Sequence, residues 1–339
     1  MVVDSCRDRA GGEPIALAYL RELNVDAQNA VRLIVVTHWH SDHIEGIARI
    51  VEAAPGAVVC CSAALQTSEF LTLVAARRDS RMPAASGVEE LSSVLEILER
   101  RTGDRHRRRA VGPEWAMADR LLFEGGSHES VPDFRVTALS PSSATMTIAK
   151  RDFRGLFDAA RNPNQVLPAR SLNELSVVLW VSIGEAHVLL GGDLESSADP
   201  ARGWDAVVAS RSWSRQRAKL FKVPHHGSAN ADSPDVWSEM LGSAPLAGLT
   251  PYALGGVMLP GPEDVARLLE RTPRLYITAG PARWTPPRRP SGVERTMREA
   301  GRARRVVRGP MGHIQVRWDS REGVWNPQVR LGGAALPLS

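Results

Sequence analysis

Residues 37–43 read Thr-His-Trp-His-Ser-Asp-His, and this short segment holds three of the nine histidines of the chain. Imidazole nitrogens and a carboxylate oxygen at this density are ligands that proteins offer to zinc, manganese or iron. The spacing therefore predicts a divalent-metal site with His38, His40, Asp42 and His43 as ligands. The alternative is a polar loop in which Asp42 only caps the helix that follows.

Two later segments repeat the pattern of a buried strand followed by ligand-type residues. Asp193 follows an apolar run and two glycines, which let the backbone turn sharply and approach a shared site. His225 and His226 follow a short apolar run and a proline. These residues complete a ligand set for one or two divalent ions, Zn²⁺ or Mn²⁺.

The elements that must position these loops alternate along the first part of the chain. The apolar run 31–36 predicts a buried strand, and the apolar spacing over 43–53 predicts a helix. Repetition of strand, loop and helix predicts an α/β protein. Because α/β proteins place their sites at the carboxyl ends of strands, the predicted ligands lie where a site is expected. Strands at 175–182 and 186–190 predict a hairpin-like pair later in the chain.

Composition bounds the class of protein. The chain has 339 residues, of which 43% are hydrophobic and 24% charged, as in a globular protein of one large domain or two smaller ones. No apolar run approaches the roughly 18 residues that a membrane span needs, and the N-terminus lacks signal-peptide features. The three cysteines cannot form a disulfide framework. We therefore predict a cytoplasmic protein without membrane association.

The charge is mildly basic, with a formal net charge of +4 and a pI of about 9.3. This balance is compatible with an anionic substrate, either a phosphoester or a nucleic acid. Arginines cluster at 100–109 and again at 288–308, although arginine-rich surfaces also occur in proteins that bind no nucleic acid. We interpret residues from about 78 to 112 as a helical, arginine-rich insertion in a single domain that spans 1–339.

The three ligand segments together resemble the metallo-β-lactamase-fold hydrolases. The sequences NELSVVL at 173–179, LLGGDLE at 189–195 and KVPHHGS at 222–228 are most similar to the hydrolase domain of the DNA-internalisation competence proteins and their stand-alone relatives. The resemblance implies an αββα sandwich of two mixed β-sheets flanked by helices. It also implies a metal-dependent hydrolase. The family's fold opens with a strand hairpin for which residues 1–4 leave no room, so we expect that hairpin to be missing.

Carried over by position, the resemblance assigns one ion to His38 and His40 and a second ion to Asp42 and His43. Asp193 is the implied bridge between the two ions, and either His225 or His226 completes the second ligand set. We prefer His225 because it comes first after the strand, and His226 stays open. Asp42 or Asp193 is implied to orient the hydroxide that attacks the substrate.

The resemblance also implies roles for residues around these ligands. Asp4 matches an aspartate that supports the histidine loop, although it also suits a turn. Asn173 stands where other members of the superfamily have a histidine. It is either a weak amide ligand, which favours Mn²⁺, or a hydrogen-bonding group that orients the loop. Lys222, Ser228 and Asn230 are candidates for contacting an anionic substrate, and a plain surface role is the alternative.

Three functions stay open from the sequence. The predicted one is a hydrolase that directs a metal-activated hydroxide at a phosphodiester or nucleic acid. The competence proteins carry a histidine near residues 258–260, where this chain reads Met-Leu-Pro, so a phosphate-contacting or proton-donating group is missing. The second function applies the same chemistry to a thioester, lactone or lactam. The third is a non-catalytic module that binds metal and serves to bind nucleic acid or to regulate.

Overall fold

The structure, a computed structural model, describes residues 1–7, 12–66, 86–103, 113–126, 132–160, 173–254, 257–280, 311–319 and 325–338. In this part of the chain two β-sheets face each other, and helices cover the outer face of each sheet. The order of layers is thus helix, sheet, sheet, helix. It confirms the predicted α/β class and is consistent with the predicted αββα sandwich.

The first sheet is parallel throughout the described residues, in the order β1-β2-β3-β4. Its strands are β1 (Val2–Val3), β2 (Leu33–Val36), β3 (Val58–Ser62) and β4 (Glu114–Ala116). The prediction of two mixed sheets is therefore wrong for this sheet. The connections between its strands are long and partly helical, so each strand returns in the same direction.

The second sheet is mixed, and within the described residues it has eight strands. In chain order they are β5 (Arg120–Gly125), β6 (Phe134–Ala138), β7 (Leu179–Ile183), β8 (Ala186–Leu190), β9 (Ala218–Lys222), β10 (Leu241–Leu249), β13 (Leu275–Ile277) and β16 (Leu336–Pro337). Strands β5 to β8 pair in antiparallel fashion, whereas β8, β9, β10 and β13 are parallel neighbours. Two separate hairpins are formed by β11 (Tyr252–Leu254) with β12 (Val257–Leu259), and by β14 (Gly312–Arg317) with β15 (Gln328–Gly333).

The helices of the described residues are α1 (Ile15–Glu22), α2 (Ala27–Ala30), α3 (Ser41–Ile44), α4 (Ile47–Ala53), α5 (Ser86–Gly103), α6 (Ser143–Ala160), α7 (Gly203–Ala209) and α8 (Pro262–Arg271). The predicted helix over 43–53 is interrupted, because Gly46 has a φ of 89° and separates α3 from α4. The arginine cluster at 288–308 lies outside the described residues.

The apolar run of β2 is explained by its place between two layers. Ile34 and Val36 point into the core beneath α4 and α5, whereas Leu33 and Val35 point into the core between the two sheets. All four side chains are buried, and burying each stabilises the fold by about 1.5–3 kcal/mol. The carboxyl end of β2, where the histidine loop begins, is therefore held from both faces.

Helix α5 packs against the elements that follow β2. The carboxylate of Glu90 accepts hydrogen bonds from the backbone amides of Gly46 and Ala48, at 2.8 and 3.3 Å, and so caps the start of α4. A Cβ at Gly87 would lie 1.7 Å from the carbonyl oxygen of Trp39, so only glycine fits beside the histidine loop there. The limits of the insertion at 78–112 stay a prediction, because 67–85 and 104–112 lie outside the described residues.

Within the described residues, no helix combines the length and the apolarity that crossing a bilayer requires.

Candidate metal centre

Four predicted ligands meet in one compact group, which we call the four-residue cluster: Asp42, His43, Asp193 and His226. One ligand atom from each residue lies within 4.8 Å of the others, and three of the four residues are buried. Asp42 and His43 belong to α3 after β2, Asp193 follows β8, and His226 follows β9. The cluster therefore stands where the carboxyl ends of strands from both sheets converge, as the α/β pattern predicts.

The spacing of these atoms fits a metal ion. Ligand atoms around a tetrahedral ion with bonds of about 2.1 Å lie about 3.4 Å apart. His43 Nε2 lies 3.2 Å from Asp193 Oδ1 and 3.7 Å from Asp42 Oδ2. His226 Nε2 lies 3.1 Å from Asp42 Oδ2 and 3.6 Å from Asp193 Oδ2. Two imidazoles and two carboxylates at this spacing are a donor set that zinc and manganese both accept.

Asp4 fixes the ring of His43 from behind the cluster. Nδ1 of His43 donates to Asp4 Oδ2 at 2.7 Å, which leaves Nε2 facing the other ligands. The carboxylate of Asp4 also accepts hydrogen bonds from the amide and the hydroxyl of Thr37, at 2.7 and 2.8 Å. Asp4 has a φ of 60°, in the left-handed region that aspartate tolerates better than most residues. It thus lies where the supporting role predicted for it requires.

His226, and not the preferred His225, enters the four-residue cluster. Nδ1 of His226 donates to the carbonyl oxygen of Thr250 at 3.1 Å, because that oxygen can only accept, and Nε2 therefore faces the cluster. Both histidines have positive φ, 44° and 55°, so the chain turns sharply between them. That turn directs His225 elsewhere, with its Nδ1 at 3.1 Å from Asn230 Oδ1. His225 is therefore not part of the four-residue cluster, and its role as a metal ligand stays a prediction.

Asp193 is held by its glycines and by Ser176. Its amide donates to Ser176 Oγ at 2.9 Å. Gly192 has a φ of 52°, and a Cβ there would lie 2.4 Å from the same hydroxyl oxygen. This contact explains why the turn before Asp193 contains glycine.

The charges in the cluster stabilise one another. Burial alone would lower the pKa of His43, but Asp193 and Asp4 outweigh burial and raise this pKa to about 10. Burial alone would raise the pKa of Asp193, but His43 and Lys222 hold it well below its ordinary value. The pKa of Asp42 is also lowered, because His226 and His43 outweigh its burial. The carboxylates are thus charged at neutral pH, as ligands for a cation must be.

The second group of predicted ligands is a histidine pair, His38 and His40. The hydroxyl of Thr37 donates to Asp4, so Nδ1 of His38 must donate to that hydroxyl, at 3.0 Å. Nε2 of His38 then lies 3.1 Å from Nδ1 of His40. Burial lowers the pKa of both imidazoles, and His43 lowers that of His38 further, so both are neutral near pH 7. Two ligand atoms are therefore suitably spaced, but His38 and His40 are not part of the four-residue cluster.

Asn173 lies in a polar network with Glu195 and His225. Its Nδ2 donates to Glu195 Oε1 at 2.8 Å and lies 3.3 Å from His225 Nε2. Its Oδ1 is buried and has no hydrogen-bond partner in the described part of the chain. An orphaned buried acceptor suits the amide-ligand alternative, because a cation would satisfy it. Glu195 was not among the predicted site residues, although it lies two residues after Asp193.

The three candidates for substrate contact have other neighbours. Lys222 Nζ donates to the carbonyl of Gly192 at 2.8 Å and lies 3.4 Å from Asp193 Oδ1, so it supports the cluster. Asn230 contacts His225, as described above. Ser228 borders a small cavity beneath the loop, together with Trp204. The substrate roles of these residues stay predictions.

Tyr252 is a neighbour of the cluster that the sequence analysis missed. Its ring centroid lies 5.0 Å from that of His226, with 33° between the ring planes. Burial, Asp42 and Asp193 all raise the pKa of its phenol. The signal in the sequence was its place just after β10, at the same end of the sheet as the other site residues.

No protein-family model matches the chain, and no curated protein matches it either. Among solved structures, a metallo-β-lactamase HARLDQ-motif mutant from Cronobacter sakazakii is similar, with 16% sequence identity and a TM-score of 0.30. The match covers 64% of this chain, and the chain spans 64% of that protein. A likeness of this strength assigns no activity, so the function is argued from the residues themselves.

Proposed function

We propose that this protein is a metal-dependent hydrolase of the metallo-β-lactamase type. The four-residue cluster is the observation that supports the proposal. Its two imidazoles have one nitrogen anchored, to Asp4 and to Thr250, and the other directed at two charged carboxylates. Anchoring of this kind is typical of metal-binding histidines, because it selects the tautomer and the orientation of the ring.

The four-residue cluster would hold one divalent ion, Zn²⁺ or Mn²⁺. Such an ion supplies a bound water whose pKa falls to about 7 and a positive charge that stabilises developing negative charge. Asp42 and Asp193 stay ionised, so Asp42 or Asp193 would accept a hydrogen bond from the nucleophilic water and orient it. A second ion would need His38, His40 and the orphaned oxygen of Asn173 as its donors.

A phosphodiester, nucleic acid included, is the proposed substrate. The positive net charge of +4 supports an anionic substrate. A thioester, lactone or lactam is the second candidate, and two observations favour it. Lys222 is engaged by Asp193 and does not stand free for a phosphate. Val257 and Met258, in the hairpin that begins at Tyr252, are 52% and 47% exposed and suit an apolar substrate group.

The test begins with metal analysis of the protein stripped by chelation and reloaded with Zn²⁺ or Mn²⁺. Each form is then assayed on bis(p-nitrophenyl) phosphate, on single-stranded DNA and RNA, and on a thioester, a lactone and a lactam. We expect hydrolysis that depends on the metal and is lost in His226→Ala. The adjacent His225→Ala is the matched control. Metal uptake by His226→Ala equal to that of the wild type would contradict the proposal.

A further inference from the structure

The side chain of Tyr252 stands at the edge of the four-residue cluster, and the chemistry outlined above does not use it. Tyr252 begins β11, two residues after Thr250, whose carbonyl holds the ring of His226. The 5.0 Å separation of the Tyr252 and His226 rings places the phenol directly beside a proposed ligand. Pairing with Leu259 across the β11–β12 hairpin fixes the backbone at this point.

The hydroxyl of Tyr252 is available to a ligand. It makes no hydrogen bond to any residue that the structure describes, and the side chain is only partly exposed. A phenol is an O–H donor at neutral pH, because the ordinary pKa of tyrosine is about 10. Among the side chains around the cluster it differs from Lys222 and Thr250, whose polar atoms contact other parts of the protein.

We propose that Tyr252 is a catalytic residue whose hydroxyl donates a hydrogen bond to the anionic oxygen of the substrate at the four-residue cluster. The assignment rests on the proposed function, because it needs a substrate oxygen bound there. No proton is transferred in this role, since the phenol only donates a hydrogen bond as charge develops on that oxygen. Preorganised donors aimed at developing charge contribute about 100- to 1000-fold to the rate of hydrolytic enzymes.

The test compares Tyr252→Phe with the wild type, and Tyr19→Phe serves as the control that removes a phenol hydroxyl from α1. Phenylalanine keeps the ring beside His226, so we expect unchanged metal affinity in a competition titration and an unchanged Tm. The affinity of the metal-loaded protein for inorganic phosphate, measured by calorimetry, should fall about 10- to 100-fold. The kcat/KM for bis(p-nitrophenyl) phosphate should fall at least about 100-fold.

Several results would overturn the assignment. Phosphate affinity and kcat/KM equal to those of the wild type would show that the hydroxyl contacts no substrate oxygen. Loss of metal or of stability in Tyr252→Phe would show a structural role instead. A loaded wild type that neither binds phosphate nor cleaves the diester would also refute this role. A wild type that takes up no metal would overturn the proposed function itself, which metal analysis distinguishes from the other outcomes.

Discussion

The four-residue cluster and the pair formed by His38 and His40 show how differently neighbouring parts of one sequence segment can be built. Ligand atoms of the cluster come from the ends of three strands, and acceptors outside the cluster hold its imidazoles. The imidazoles of the pair instead contact each other at 3.1 Å, and the ring of His38 also lies beside that of His43, with 4.3 Å between the ring centroids. The pair consists of two residues of one loop, whereas the cluster combines residues from the ends of three strands that are far apart in the chain. We therefore infer that the cluster is the tighter metal site.

The largest expected effect is a difference in metal affinity between variants of the two adjacent histidines, His225 and His226. His226→Ala removes one of the four proposed ligands, and we expect the affinity for Zn²⁺ to fall more than about 100-fold, beyond the loss typical of supporting residues. His225→Ala leaves all four cluster residues in place, so its affinity should change less than about threefold. Competition with a chromogenic chelator measures both values. Equal losses in the two variants would contradict the geometry of the cluster.

The next effect concerns the residue that anchors His43. Asp4→Asn keeps the shape and the left-handed backbone, which asparagine also tolerates, but removes the charge that accepts from His43. We expect a loss of metal affinity of about 10- to 100-fold, measured by the same titration. Asp26→Asn is the control, because Asp26 caps α2 on the exposed surface. An affinity equal to that of the wild type would show that Asp4 does not support the site.

A third prediction uses pH and the metal-free protein. The pKa of His43 is raised to about 10, above the ordinary value of 6.5, so its ion pairs stabilise the folded state fully below pH 6.5. This stabilisation is lost as the pH rises through about 10. We expect the Tm of the wild type to fall by at least about 3 °C more than that of His43→Gln between pH 7 and pH 10.5. Parallel Tm curves for the two proteins would contradict the prediction.

The smallest effect tests the histidine pair. His40 contacts His38 and lies outside the four-residue cluster, so His40→Ala should change the affinity of the tightly bound ion less than about threefold. A second, weaker ion seen with the wild type in calorimetry should be absent in this variant. If the tight site is lost as well, the two groups form a single site and the contrast between them disappears.

Much of the fold could be predicted from local pattern. The run 31–36 contains the buried strand Leu33–Val36, and the predicted hairpin-like pair is confirmed by the antiparallel strands Leu179–Ile183 and Ala186–Leu190. The short strand Tyr252–Leu254 and its partner were missed, because three-residue strands carry too little periodicity to stand out. The four parallel strands of the first sheet were expected to be mixed, because strand direction depends on connections that local pattern does not describe.

The sequence by itself determined which kinds of side chain stand at the strand ends, and hence the chemistry that the site can perform. It also determined the glycines that let Asp193 turn into the site. Only the tertiary structure decided that His226 belongs to the cluster, that Lys222 contacts Asp193, and that Tyr252 lies beside His226. These outcomes depend on the backbone turn at 225–226 and on distances between strands far apart in the chain. The sequence specifies the type of each residue, but the distances and directions between distant segments are set only when the chain folds.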